Sequence, residues 1–157
     1  MRSLATLAFF FTISLEAQRT PSRPEPARQD QILENVRQYA MGHLDRAENI
    51  SCSEAPFAGS AKTITVDFSG VSHGTASSID TASMIRDVFS PSSGAEIYRD
   101  HAGTLRGGTV GVYNYSFVSN GKTHAGSIYA NEETGAIARI TFRGADAAAH
   151  LFCSALK

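Results

Sequence analysis

Apolar residues recur at three- and four-residue steps between positions 29 and 48. On an α-helix this spacing places them along one side, so the pattern predicts a long amphipathic helix near the start of the chain. A second, shorter helix is predicted to begin at Asp80, because aspartate is a favourable N-cap residue. Pro91 ends this helix, since proline disfavours helical backbone in the residue before it.

Elsewhere the apolar and polar residues alternate, which is typical of half-buried β-strands. Alternation of this kind covers 62–68, 96–99, 108–119, 123–130 and 136–143. Asn120 and Gly121 favour a two-residue hairpin turn, and such short links force antiparallel pairing. We therefore predict an α+β fold in which a curved antiparallel β-meander packs on the long N-terminal helix, with a second short helix. The segment 145–156, which carries Cys153, is predicted to form one more short helix.

The first seventeen residues have the pattern of a secretory signal peptide. Arg2 precedes a short apolar run from Leu4 to Leu15, and the small residue Ala17 follows. The run is shorter than the roughly 20 residues that a membrane-spanning helix needs. We therefore expect an exported protein, periplasmic or secreted, that does not span the membrane. An uncleaved anchor or a buried N-terminal helix is the alternative.

The remaining chain is predicted to form one domain. Residues 18–28 contain three prolines among polar residues and are expected to be a flexible leader. Residues 29–157 then form a single α+β domain, long enough for one core. The net charge of −1 gives no reason to expect nucleic-acid binding. The five histidines lack metal-ligand spacing, and the paired acids Glu132 and Glu133 fall in a predicted turn, so we predict no metal, cofactor or catalytic residue.

Cys52 and Cys153 are the two cysteines of the chain. In an oxidising compartment such a pair can form a disulfide, which would tie the segment after the first helix to the C-terminal region. Two separate buried thiols are the alternative. The exported location favours the disulfide.

Tyr113, Tyr115 and Phe117 share one face of the longest predicted strand. A row of aromatic side chains on a covered sheet face can line a groove for an apolar ligand, so these three are the candidate ligand-binding residues. Packing beneath the first helix would explain the row equally well.

Ser72 lies in the sequence Gly70-Val71-Ser72-His73-Gly74, which matches the nucleophile elbow of serine hydrolases. The strand that precedes the motif fits that pattern. The elbow must turn directly into a helix within a parallel sheet, whereas here a run of small polar residues follows and the later strands form hairpins. A small serine hydrolase using Ser72 is therefore the alternative, and a flexible loop the simpler interpretation.

Seven segments carry a further signal when taken together in their order along the chain: 32–40, 50–52, 89–94, 105–107, 112–115, 126–129 and 131–140. Together they resemble a family of uncharacterised exported proteins from soil bacteria. The last two strands and their acidic turn are also similar to those of periplasmic lipoprotein carriers, in which a half-barrel sheet over a helix holds acyl chains. The family implies no particular activity. The carrier resemblance implies an apolar ligand, and the Ala-rich end of the chain predicts an incomplete half-barrel.

These observations favour a non-catalytic exported protein of a bacterial cell envelope. Its curved sheet would bind a lipid or another apolar ligand, or an envelope protein. A structural or interaction domain without a ligand is a further alternative.

Overall fold

A computed structural model describes residues 26–46, 50–56, 62–70 and 74–154 of the chain. The predicted signal peptide, residues 18–25 of the predicted leader and Ser72 lie outside these residues. Neither described helix has the length and apolar character needed to cross a lipid bilayer.

Helix α1 spans Pro26–Arg46 and helix α2 spans Thr81–Phe89. The first begins at Pro26, ahead of the predicted position 29, because proline is well suited to the first turn of a helix. Asp80 caps α2 as predicted, since its carboxylate accepts a hydrogen bond of 3.0 Å from the backbone nitrogen of Ser83. A short 3₁₀ turn, Pro91–Ser93, follows α2.

Within the described residues, eight strands form one open sheet, in the order β3-β1-β8-β2-β7-β6-β5-β4. Neighbouring strands are antiparallel except for β2 and β8, which run parallel. The strands are β1 Cys52–Ala55, β2 Thr63–Phe68, β3 Thr75–Ala76, β4 Glu96–Leu105, β5 Gly108–Ser119, β6 Lys122–Ala130, β7 Ile137–Arg143 and β8 Ala149–Cys153. The predicted α+β class, with a long N-terminal helix, a second short helix and a predominantly antiparallel sheet, is confirmed.

The helix predicted at 145–156 is wrong, because this segment contains strand β8 between β1 and β2. Ala149, Leu151 and Cys153 are buried, and His150 and Phe152 between them are half-buried. This period of two is a strand signal, and partners on both sides stabilise it over the helical preference of the alanines. Cys153 lies directly opposite Cys52 in the antiparallel β1–β8 pair, and a disulfide joins them as predicted.

The two faces of the sheet differ in composition. On the helix face, the apolar side chains of the strands form one buried cluster with those of α1 and α2. The opposite face, which we call the open face, carries the alternate residues of the same strands. By register its central positions include Thr65, Asp67, Val112, Asn114, Ser127, Tyr129, Arg139, Thr141 and His150, of which Val112 is apolar and buried.

Candidate functional site

The three aromatic side chains predicted to bind a ligand all belong to the buried cluster on the helix face or pack against it. Tyr115 is almost fully buried, and its hydroxyl donates a hydrogen bond of 2.9 Å to the carbonyl of Thr141. Burial raises the pKa of the Tyr115 phenol, so the group stays neutral and acts as a donor. Phe117 is half-buried, and its ring stacks on the imidazole of His124 with centroids 4.9 Å apart.

Tyr113 lies apart from the other two and takes part in a separate polar contact. Its hydroxyl lies 3.2 Å from Oε1 of Glu132, which also accepts a hydrogen bond of 2.6 Å from Nε of Arg99. Burial and the neighbouring carboxylate raise the pKa of the Tyr113 phenol. A small cleft of about 190 Å³ beside α1 is lined in part by Tyr113 and Leu33. Tyr113 therefore links the β6–β7 turn, which bears Glu132, to strand β5 of the sheet.

A cavity of about 320 Å³ lies between α2 and the sheet, and Tyr115 and Phe117 both line it. We call it the α2 cavity. The rest of its apolar wall comes from Ile64, Ile79, Met84, Ala125, Phe142, Ala145 and Ala147. The charged or titratable side chains that line it belong to exposed residues and so mark its mouth; they are Asp87, Lys122, His124, Arg143 and Asp146.

Local sequence explains why there is space at this position. Gly126 lies under the ring of Tyr115, and a Cβ there would overlap both that ring and the carbonyl of Thr141. Glycine therefore lets the ring lie close to the sheet. Ala145 and Ala147, which also line the cavity, are among the smallest side chains of its apolar lining.

The α2 cavity is suited to binding an apolar molecule. Its wall consists of aromatic rings and aliphatic groups, and the hydroxyl of Tyr115 already donates its hydrogen bond to the carbonyl of Thr141. At the mouth the cations Lys122 and Arg143 are balanced by two acids, one of which, Asp146, lies 3.8 Å from the Lys122 ammonium. Within the described part of the chain, no group of three His, Cys, Asp or Glu side chains could hold a metal ion.

A second cavity of about 430 Å³ adjoins the first on the other side of Phe117, and Asp87 also lines both. Its further lining is largely polar and comes from Met41, Arg86, Ser90, Ser92, Ser93, Val118 and Ser119. The hydroxyls of Ser90 and Ser92 lie 2.7 Å apart, and Arg86 donates a hydrogen bond to the carbonyl of Leu44. Phe117 thus separates an apolar space from a polar one.

The open face holds a charged group that sequence reasoning missed. Asp67 is only 1% exposed, and the side chains of Arg106, Arg139 and His150 surround it. We call these four side chains the Asp67 cluster. Arg139 donates from Nε at 2.8 Å and from Nη2 at 2.9 Å. Nη2 of Arg106 lies 2.8 Å from Oδ1, and Nε2 of His150 lies 2.6 Å from Oδ2.

The environment keeps the Asp67 carboxyl ionised. Burial alone would raise its pKa, but hydrogen bonds from Arg139 and His150, together with the charges of Arg139 and Arg106, lower the pKa below its ordinary value. The sequence signal for this cluster is weak. Asp67 occupies a polar position of an alternating strand, and only the register of β2 against β7 and β8 brings its partners to it.

The serine hydrolase alternative is not tested by these residues, because Ser72 lies outside them. The elements around the motif are described. Strand β2 ends before it, the two-residue strand β3 follows it, and α2 begins only at Thr81. A hydrolase elbow passes directly from strand to helix, so this arrangement does not have the form that the motif requires.

Comparison of the chain with protein-family models, with curated proteins and with solved structures finds no match. The fold and the cavity therefore define the class by themselves: in the part of the chain that the structure describes, an open, mostly antiparallel sheet has two helices on one face and an apolar cavity between the shorter helix and the sheet.

Proposed function

We propose that this protein is an exported, non-catalytic binding protein whose α2 cavity takes a small apolar molecule or the apolar chain of a lipid. The observation that carries the proposal is the cavity of about 320 Å³ walled by Tyr115 and Phe117, with charged residues confined to its mouth. Ligand sites in proteins are typically pockets of about 300–1,000 Å³ lined mainly by apolar and aromatic side chains.

The shape of the site supports a preformed pocket. Tyr115 is fixed by its hydrogen bond to Thr141 and by contact with the ring of Phe142, whose centroid lies 6.2 Å away. Less conformational entropy is then lost when a ligand enters, because the aromatic wall is already in place. Phe117, which is half-buried, separates the apolar cavity from the polar one and can contact a ligand directly.

The signal peptide pattern and the disulfide support the exported location. Disulfides persist in oxidising compartments such as the periplasm and the cell exterior, and are uncommon in the cytosol. Apolar molecules dissolve poorly in water, so a pocket on an exported protein would serve to hold one between membranes or outside the cell.

Titration with a dansyl-labelled fatty acid, together with native mass spectrometry of the purified protein, tests the proposal. We expect saturable uptake of the probe by the natural protein. Met84→Trp places a large ring in the cavity and should weaken uptake at least about tenfold. Tyr98→Trp is the matched control, because it adds the same indole at an exposed position of β4 away from the cavity, and it should bind as the natural protein does.

Melting curves of both variants check that each is folded. The proposal fails if the natural protein neither takes up the probe nor carries a co-purified apolar molecule. It also fails if folded Met84→Trp binds the probe as tightly as the Tyr98→Trp control.

A further inference from the structure

Two hairpin turns of the molecule have the same backbone form but different residues. Asn120 and Gly121, between β5 and β6, have φ of 51° and 73°; Arg106 and Gly107, between β4 and β5, have φ of 51° and 79°. Asparagine tolerates this left-handed conformation well, whereas arginine is disfavoured in it. The β4–β5 turn therefore carries a conformational cost at Arg106 that its counterpart avoids.

The Arg106 side chain reaches a distant part of the sheet. In the strand order, β7 and β6 lie between β2, which bears Asp67, and β5. The paired register of β5 with β6 begins at Gly111, so the tip of the β4–β5 hairpin extends past β6. The guanidinium of Arg106 nevertheless lies 2.8 Å from Asp67, so the tip folds over the open face.

The cluster holds more positive charge than Asp67 can neutralise. Arg139 alone forms a bidentate ion pair with the Asp67 carboxylate. Arg106 then adds a second positive charge beside this pair. With a neutral His150 imidazole, the four side chains have a net charge of +1. Among the described residues, Asp67 is the one carboxylate that forms an ion pair with either arginine.

Both arginines keep hydrogen-bond donors that are not directed at Asp67. A guanidinium has five N–H donors; Arg139 directs two of them at the carboxylate and Arg106 contacts it through one nitrogen. Their side chains are 29% and 42% exposed, and His150, through its second ring nitrogen, offers a further polar group on a side chain 29% exposed. These groups come from the β4–β5 tip, β7 and β8 and meet above one buried carboxylate.

We infer that Arg106, Arg139 and His150 form a binding site for a phosphate group on the open face. A phosphate carries close to two negative charges and three acceptor oxygens, which suits two guanidinium groups and an imidazole. Guanidinium groups are weakly hydrated and planar, so they bind such oxygens with little loss of solvation. Asp67 would hold all three side chains in place from beneath, and the bound phosphate would relieve the repulsion between the two arginines.

The phosphate group can be a free ion or part of a larger molecule, and both sources use the same contacts. The test is a titration of the isotopically labelled full chain followed by NMR, at constant ionic strength and near neutral pH. One arm uses inorganic phosphate and the other phenyl phosphate. Saturable shifts of the Arg106, Arg139 and His150 side-chain signals are expected in at least one arm, with a dissociation constant of about 1 mM or lower. Tighter binding of phenyl phosphate identifies a phosphate ester as the ligand, and tighter binding of inorganic phosphate identifies the free ion.

Arg106→Asn is the decisive variant, because it removes the guanidinium and leaves Asn-Gly, the sequence that already forms the other hairpin turn. Binding should weaken at least about tenfold, as expected for loss of a charged donor. Arg28→Gln removes the same charge at an exposed site on α1 and should leave the affinity unchanged. The inference is overturned if the shifts do not saturate in either arm, if Arg106→Asn binds as tightly as the natural chain, or if Arg28→Gln loses as much affinity.

Discussion

On the helix face, Val66, Ile140 and Ile128 form one row across β2, β7 and β6, and all three are fully buried. The next row on the open face is Asp67, Arg139 and Tyr129. The first row is stabilised by removal of apolar area from water, which involves no titratable group and so depends little on pH. The second row is stabilised by paired charges and by the guanidinium of Arg139, which lies 5.9 Å from the ring centroid of Tyr129.

Adjacent positions of the same strands thus respond to different conditions. Changes on the helix face should act through lost packing and through the disulfide, independently of acidity. Changes on the open face should act through charge, and their effect should vary with pH.

Removal of the disulfide should have the largest effect. The bond closes a loop with a sequence separation of 101 residues. In the chain-entropy account, replacing Cys52 and Cys153 together by alanine should lower the free energy of unfolding by about 4 kcal/mol, an upper value. Urea unfolding of the double variant measures this. A loss below about 1 kcal/mol would mean that the pairing of β1 with β8 depends little on the bond.

Ile140→Ala tests the apolar row directly. The side chain is fully buried in the centre of the core, and its truncation should cost about 3 kcal/mol through lost burial and the cavity left behind. The loss should be nearly the same at neutral and at mildly acidic pH. A strong dependence of this loss on pH would contradict the distinction between the two faces.

Asp67→Asn tests the charged row. Breaking a buried ion pair costs about 3–5 kcal/mol, but the arginines here reach water, so about 2 kcal/mol is expected at neutral pH. Asp100→Asn is the control, because Asp100 is an exposed acid of β4 that also contacts a histidine, His101. That change should cost less than about 1 kcal/mol.

Acidification should reduce the difference between Asp67→Asn and the natural chain. The pKa of Asp67 is lower in the folded state than its ordinary value of about 3.9, so the unfolded chain takes up this proton first. The contribution of the Asp67 carboxylate to the free energy of unfolding is therefore complete above a pH of about 3.9, the ordinary pKa. It is lost as the pH falls through the lower pKa of the folded state. Urea unfolding of both proteins at a series of pH values measures this difference in the free energy of unfolding. A difference that stays constant at the lowest pH at which both proteins fold would show that Asp67 acts only through its shape.

Arg106→Asn should have the smallest effect on stability. The variant loses an ion pair in which the arginine is 42% exposed, and gains a residue better suited to positive φ. These contributions oppose each other, so the free energy of unfolding should change by less than about 1 kcal/mol. A fall of more than about 2 kcal/mol in the free energy of unfolding would mean that the Arg106 ion pair is essential to the fold. Weaker phosphate binding by this variant would then have a structural cause.

The periodic patterns were sufficient to predict both helices, the aromatic row and the meander from β4 to β7, because each depends on residues close in sequence. Strand β4 is longer than the predicted 96–99 and ends at Leu105. Strand β8 was missed because it pairs with β1 and β2, far away along the chain, and because the alanines at and before its start also suit a helix. The α2 cavity was predictable only in part: Tyr115 and Phe117 line it, whereas Met84 and Ala145 come from segments that only the tertiary fold brings together. The Asp67 cluster depends on strand register and on the curl of the β4–β5 tip, neither of which local sequence encodes.

We expect an apolar ligand to bind on the helix face, within the α2 cavity, and to leave the open face unchanged. Titration of the labelled chain with decanoate, followed by NMR, distinguishes the two faces. Saturable shifts are expected for the Met84 methyl group and for the Tyr115 and Phe117 rings, while the Arg139 side-chain signals stay in place. Saturable shifts confined to Arg139 and its neighbours, or no saturable shift at all, would contradict this expectation.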